Sequence, residues 1–444
     1  MTSTHTGSTR RPPTAPFPLL TGTLTLGSGS RAARRHLRER YGDAYHVKVV
    51  GLGDLVVVSD KDLARQVYRA DPTVLHAANA IGPVLGGHSL FSFDEDKHRT
   101  QRKMLTPPFT GAALRRHHEI MLDEARREIA TWPVGERFAS LPSMNAITMR
   151  VILRAVYGMN HGGPAFSALA EDLPRFVQVG QALALSTFLQ RDFGRFSPGG
   201  SLTRFRRKHA AVVDELAEQA RHDLDAGRER SDILSILVAA RDADGLPLSR
   251  DELVDNLLAL VIAGYETTAG TLAWTLERIT RHPDLLRRLQ VEARSGDSDD
   301  LRAATLAEVQ RTRPIVQQTL RRAMAPFPLG DYLIDEGQTI VVDARSIHDD
   351  AANHERPGDF DPDRYVGSRV DPSTWIPFGG GLRRCIGASF AQAEMDIVLR
   401  EVLRGVDLAP TTARREPTRF RGVTYSPGRG GEIEVIRHSS PDGG

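Results

Sequence analysis

The sequence predicts a mainly helical protein with small β-sheets, built as a single large domain around a long central helix. Three observations carry that expectation. Helical periodicity fills most of the stretch from Ala112 to Arg322, short alternating strand patterns appear only toward the two ends, and no Gly/Ser linker, repeat or low-complexity break interrupts the chain. With 444 residues, 40% of them hydrophobic, there is ample material for a large core.

The N-terminal TSTHTGSTRRPPTAPFP is too polar for a signal peptide, so residues 1–16 are expected to be a flexible lead, 17–438 the domain, and 439–444 a disordered tail. A helix is expected from about Gly29 to Tyr41, followed by strands at Ala44 to Val50 and Leu55 to Ser59. Turns at Pro133, Gly162 to Pro164, Ser197 to Ser201 and Asp242 to Pro247 divide the helical body. Ser249 and Glu252 form a capping-box pattern that opens a long helix ending before Pro283. Leu260, Ala263, Gly264, Thr267 and Thr271 fall on one of its faces. Strands return at Thr339 to Val342 and Glu432 to Ile436. Between them, an apolar stripe of Ala391, Met395, Val398 and Val402 marks a helix directly after a glycine-rich segment.

The 58 basic residues nearly balance 56 acidic ones, and a net charge of +2 argues against nucleic-acid binding by bulk charge. One cysteine excludes internal disulfides, and no run of about 18 apolar residues suggests a membrane span. A cytoplasmic location is expected.

That one cysteine lies in Phe378 to Gly387, FGGGLRRCIG. At a helix N-terminus, free backbone N–H groups and the dipole favour a thiolate over a thiol. Gly379, Gly380, Gly381 and Gly387 remove side chains, so the backbone can turn sharply and lie against a flat ligand. Arg383 can reach a carboxylate on that ligand's edge, and Phe378 can cover the sulfur. The alternative is an inert buried cysteine behind a glycine-rich turn.

Phe-x-x-Gly-x-Arg-x-Cys-x-Gly resembles the heme loop of the cytochrome P-450 family, of the soluble bacterial type. The resemblance implies heme b as cofactor with Cys385 as its axial thiolate ligand. It also makes Phe378, Gly379, Arg383, Cys385 and Gly387 cofactor-binding residues. AGYETT, Ala263 to Thr268, resembles the family's oxygen-activating stretch: Ala263 and Gly264 make room at the heme, the Thr267 hydroxyl hydrogen-bonds during oxygen activation, and Glu266 relays protons. DKHRTQRKMLTPPF, Asp96 to Phe109, resembles the family's His-x-x-x-Arg helix, with His98 and Arg102 on heme propionates. PGDFDPDRY, Pro357 to Tyr365, resembles the stretch before the heme loop, and it directs Arg364 inward to the family's Glu-x-x-Arg pair.

At that pair a departure is expected. Gln318-Thr319-Leu320-Arg321 is taken as its equivalent, which leaves Arg321 and Arg364 in a structural network without a carboxylate unless Asp361 or Asp363 supplies one. The run Ala323 to Ala344 also contains no arginine for a propionate, and His348-Asp349-Asp350 stands where an arginine would more often follow the histidine.

By resemblance the substrate pocket is lined by Ile81, Leu85, Phe91, Gln178, Leu183, Phe188, Ala259, Phe327 and Leu329, within mainly apolar segments. The leading expectation is a monooxygenase that hydroxylates or epoxidises a terpenoid, polyketide or fatty-acyl substrate in secondary metabolism, using O2 and electrons from a ferredoxin and its reductase. Basic patches at Arg204 to Lys208 or Arg115 to His118 could dock that partner. Two alternatives remain: other heme-thiolate chemistry such as peroxygenation, desaturation, C–N bond formation or rearrangement, and a non-catalytic scaffold.

Overall fold

The computed structural model describes residues 10–28, 30–50, 52–78, 82–159, 161–183, 191–194 and 197–439. Its helical body is organised around the helix Arg250–Thr280, which starts where the capping box places it. The Ser249 hydroxyl accepts from the Glu252 N–H, and the Glu252 carboxylate accepts from the Ser249 N–H at 3.0 Å. This helix lies across the helix Ser140–Tyr157. Gly264 makes the crossing close, since a Cβ there would come within 3.0 Å of the Ile152 side chain. Thr148 bonds the Tyr265 carbonyl at 2.9 Å from the other side. Among the described residues it is the one helix long and apolar enough to cross a bilayer. Since 67% of its most apolar stretch is buried in the fold, it is a core helix.

Asp255 and Asn256, both buried on the central helix, fasten the loop in front of it. Asp255 accepts from the His88 N–H at 2.9 Å and pairs with Arg206 at 2.7 Å, while Asn256 accepts from the Leu90 N–H at 2.7 Å.

A five-stranded sheet stands beside the helices, in the order 44–49, 53–58, 339–343, 318–323 and 75–77. Its third strand runs parallel to the second, with Val58 opposite Val342, and the other pairings are antiparallel. The segment after residue 9 is not a loose lead. Thr14 bridges His46, and the Ala15 N–H bonds the His46 carbonyl at 3.0 Å, so residues 10–16 are laid along the first strand. The helix Pro18–Ser28 follows, ahead of Arg31–Tyr41. The C-terminal strand extends to His438, and residues 440–444 of the expected tail lie outside the described residues.

The expected helical stretch ends early. Its last helix stops at Thr312, because Pro314 lacks an N–H and disfavours helical geometry at Arg313, which is extended at φ −140°. Gln318–Ala323 is therefore a strand, paired with Thr339–Asp343.

One buried contact contributes to acid sensitivity. His209 is 1% exposed, bonds the Tyr157 hydroxyl at 2.7 Å, and has its value pushed down to about 3 from 6.5 by burial and then by Arg206. The unfolded chain thus binds a proton that the folded chain refuses, so this contribution is intact above pH 6.5 and lost as pH falls toward 3. At about 1.4 kcal/mol per unit, it removes about 2 kcal/mol between pH 6.5 and 5. His209→Gln is expected to flatten the acid limb of a pH series of urea unfolding by that amount, and an unchanged limb would contradict the assignment.

Candidate active site

Cys385 is solvent-accessible yet surrounded by protein, which places it on the floor of a recess rather than on a convex surface. Three residues on, the helix Ala388–Gly405 begins, with Met395, Val398 and Val402 buried as its apolar stripe requires. The Cys385 N–H donates to the Phe378 carbonyl at 2.9 Å, closing the loop. Burial pushes the thiol up, while the Gly387 N–H, Arg384 and Arg102 favour the thiolate. Gly380 and Gly381 are glycines of necessity, because a Cβ would strike the Tyr68 ring at one and the Tyr68 carbonyl at the other. Tyr68 is half-buried, bonds Thr319 at 3.0 Å, and lies beneath Arg321 at 5.9 Å, so it pins the loop to the sheet. Phe378 packs edge-on against Trp375 at 5.9 Å.

Cations gather beside this loop. His98 and Arg102 share the helix Glu95–Leu105; Arg102 donates to the Arg384 carbonyl at 2.6 Å, and Arg383 is held by Asp94 and the Phe93 carbonyl. His98 is 2% exposed, and its Nδ1 has no partner. Burial, then Arg383 and Arg102, and also Arg321, push its value down to about 4. Arg321, on the strand opposite Ala77, is thus a fourth member of the cluster. So many like charges around one unsatisfied imidazole form a site suited to a dianionic edge.

On the central helix, Ala263 is open although its neighbours Val261 and Tyr265 are buried. The Thr267 hydroxyl donates to the Ala263 carbonyl at 2.8 Å, leaving its lone pairs outward. Glu266 accepts from Gln181 Nε2 at 2.5 Å. Burial pushes its carboxyl up, opposed by Arg421, Gln181 and Thr424. Gln181 closes the helix Pro164–Leu183, while Arg421 and Thr424 belong to the hairpin Thr418–Arg421/Thr424–Pro427. Neither partner segment carries a sequence pattern that would announce it.

Residues 11–430 match the cytochrome P450 family model. The chain belongs to the cytochrome P450 family. It is 41% identical over 96% of its length to "Putative cytochrome P450 138" of Mycobacterium tuberculosis, covering 97% of that protein. It is also 36% identical over 95% of its length to "Putative cytochrome P450 135B1" of the same organism, covering 91% of that protein. In fold it resembles the retinoic acid-bound cyanobacterial CYP120A1, with a TM-score of 0.82 at 21% identity, covering 97% of this chain and all of that one. The heme domain of cytochrome P450DA gives 0.81 at 22%, over 98% and 99% of the two chains. The P450 cofactor is heme b. The unpartnered His98 Nδ1, the cation cluster and the glycine cradle against Tyr68 fit it.

The P450 Glu-x-x-Arg pair is present, ten residues before the place where the sequence reading put it. Glu308 and Arg311 are both fully buried and paired at 2.7 Å, and Arg364 joins Glu308 at 3.3 Å. Glu308 also accepts from the Asp361 N–H at 2.9 Å, and Arg311 donates to the carbonyls of His348, Pro357 and Asp359. Gln318 and Arg321 are on the strand and take no part. Asp363 does not compensate for anything: it pairs with Arg288 on the surface at 2.6 Å. Arg321, on the strand just before the run Ala323 to Ala344, adds an arginine to the cation cluster beside the heme loop. His348-Asp349-Asp350 is structural, with His348 accepting from the Ile376 N–H at 2.9 Å and both aspartates paired to arginines.

The lining residues divide. Leu85, Leu183 and Ala259 are buried, and Phe91 is half-buried. The short helix Gly82–Leu85 meets the helix Pro164–Leu183 closely, with Val84 where a Cβ on Gly180 would sit. Gln178 is exposed and does not line an interior. Phe327 and Leu329 form a small hairpin that packs with Leu63, Val67 and Ile376 in the core beside the sheet, because the segment leaving the Glu-x-x-Arg helix is Pro314–Gln317, not theirs. Ile81 and Phe188 lie outside the described residues.

Proposed function

We propose that this P450 monooxygenase hydroxylates or epoxidises an apolar small molecule of terpenoid, polyketide or fatty-acyl type in secondary metabolism, in the cytoplasm, with a ferredoxin and its reductase supplying electrons. The observation that carries this reading is a half-buried carboxyl, Glu266, held by Gln181 with its value raised by burial, three residues along the helix from an open Ala263. Heme, when bound, supplies the reductive activation of O2.

The chain's own residues then have separable tasks. Cys385 provides the thiolate, steadied by the Gly387 N–H and by Arg102. Arg102, Arg321 and Arg383 balance the propionates, and His98, neutral at pH 7, donates one N–H. Glu266, its carboxyl raised by burial, is placed to relay protons, and Gln181 orients that carboxyl. Thr267 can pass a proton onward only by releasing the Ala263 carbonyl. Of the two basic patches, Arg204 to Lys208 is partly engaged through Arg206–Asp255 and Lys208–Asp172, while Arg115 and Arg116 are exposed. The latter pair is the better docking surface for an acidic redox partner.

Glu308 removes the motive for a degenerate scaffold. Thr267→Ala is expected to uncouple turnover, with reductant consumed and hydrogen peroxide released at the expense of product. Unchanged product per reductant would favour a reaction without O2 activation, such as peroxygenation or rearrangement.

A further inference from the structure

A small cavity of about 30 Å³ lies between the second half of the central helix, the Arg313–Gln317 turn and the C-terminal hairpin, lined chiefly by Trp274, Arg313, Gln317, Arg345, Thr418 and Tyr425. Its charges do not balance. Arg313 donates to the neighbouring Thr312 carbonyl at 2.8 Å and lies over the Trp274 ring at 5.2 Å, and no carboxylate of the described residues forms an ion pair with it. Burial and then Arg278, Arg345 and Arg31 push its value down to about 9, with Glu277 alone opposing. Arg345, 5% exposed, gives Nε to Asp349 at 2.7 Å and one Nη to the Thr312 carbonyl, and its other Nη has no hydrogen bond among the described residues. Gln317 is 3% exposed with its side-chain oxygen unpartnered. Since an amide can present its NH2 by turning over, it too can serve as a donor here.

The half-buried Arg313, without a carboxylate partner among the described residues, and the buried Arg345–Asp349 pair and Gln317 amide leave this polar cavity with one positive charge for a counter-ion to balance. We propose that this cavity binds a small inorganic monoanion of chloride size, held by Arg313, Arg345 and Gln317, and that the anion fastens the C-terminal hairpin to the central helix. The volume is that of about two waters, too little for a tetrahedral oxyanion with its shell. Thr418 and Tyr425 sit on the hairpin that also brings Arg421 and Thr424 to Glu266, so the anion supports the wall of the active site without touching it.

The test uses the heme-loaded protein. Unfolding is followed while chloride replaces gluconate at constant ionic strength, and crystals are soaked in bromide. Above saturation the unfolding equilibrium constant is expected to fall about tenfold per decade of chloride, and bromide to give an anomalous peak within hydrogen-bond reach of Arg313. Arg313→Gln should abolish the chloride dependence while leaving the heme spectrum unchanged. Equal stability in both salts, a bromide-free cavity, or a chloride dependence that survives Arg313→Gln would each overturn the proposal. Should that variant fail to fold, the bromide map of the unaltered protein decides.

Discussion

Glu308→Gln is expected to destabilise the protein by about 3–5 kcal/mol, the range for removing one partner of a buried ion pair. The substitution keeps the shape and removes the charge. Arg311, fully buried, would retain its three carbonyl acceptors but lose both bonds to a carboxylate, and Arg364 would lose its one acidic partner among the described residues. The Asp361 N–H would still find an amide oxygen. Since these bonds tie the helix Asp300–Thr312 to the segment leading into the heme loop, the loss should reach heme retention as well as unfolding. Asp363→Asn is the matching control. Its partner Arg288 is on the surface, where an ion pair contributes about 0–1 kcal/mol, so urea midpoints and heme content should barely change. If the two variants lost stability equally, the assignment of the buried network to Glu308 would be wrong.

Glu266→Gln should lower turnover by roughly 10²–10⁴-fold, the range for a positioned proton donor or acceptor, with the heme spectrum and the fold intact. The carboxyl is raised by burial and restrained by Arg421, Gln181 and Thr424. Removing one restraint makes a sharper test. Gln181→Leu takes away a bond that favours the carboxylate, so the Glu266 value should rise further and the limb of the pH–rate profile that Glu266 controls should move toward alkaline pH. A change of rate with an unshifted profile would make Gln181 a packing residue only. Turnover in Glu266→Gln within tenfold of the unaltered enzyme would remove Glu266 from the proton path.

How much of this was legible in the sequence depends on how local each signal is. The heme loop is local: five positions of fixed residue type at set spacing, with Gly380 and Gly381 present because Tyr68 leaves no room for a Cβ. The central helix is equally local, since Ser249 and Glu252 declare its start. The Glu-x-x-Arg pair was misplaced for a physical reason. Helical periodicity alone runs on past Arg313-Pro314, where the proline in fact stops the helix, and it makes the β-paired Gln318 to Arg321 look like the equivalent of Glu308 to Arg311. Reading Pro314 as the helix stop would have recovered both the acid and the role of Arg321. The partners of Glu266 were not legible, because Gln181 and Thr424 stand more than 80 and 150 residues from it along the chain and meet it only through the packing of a helix end and a hairpin.

The most direct test of the central claim is the visible spectrum of the purified protein, reduced with dithionite and exposed to carbon monoxide, beside that of Cys385→Ser. The unaltered protein should show the red-shifted Soret band characteristic of thiolate-ligated heme, and the variant should lose it. A band typical of histidine or neutral thiol ligation in the unaltered protein, or the same band in both, would contradict the assignment of Cys385 as the iron ligand.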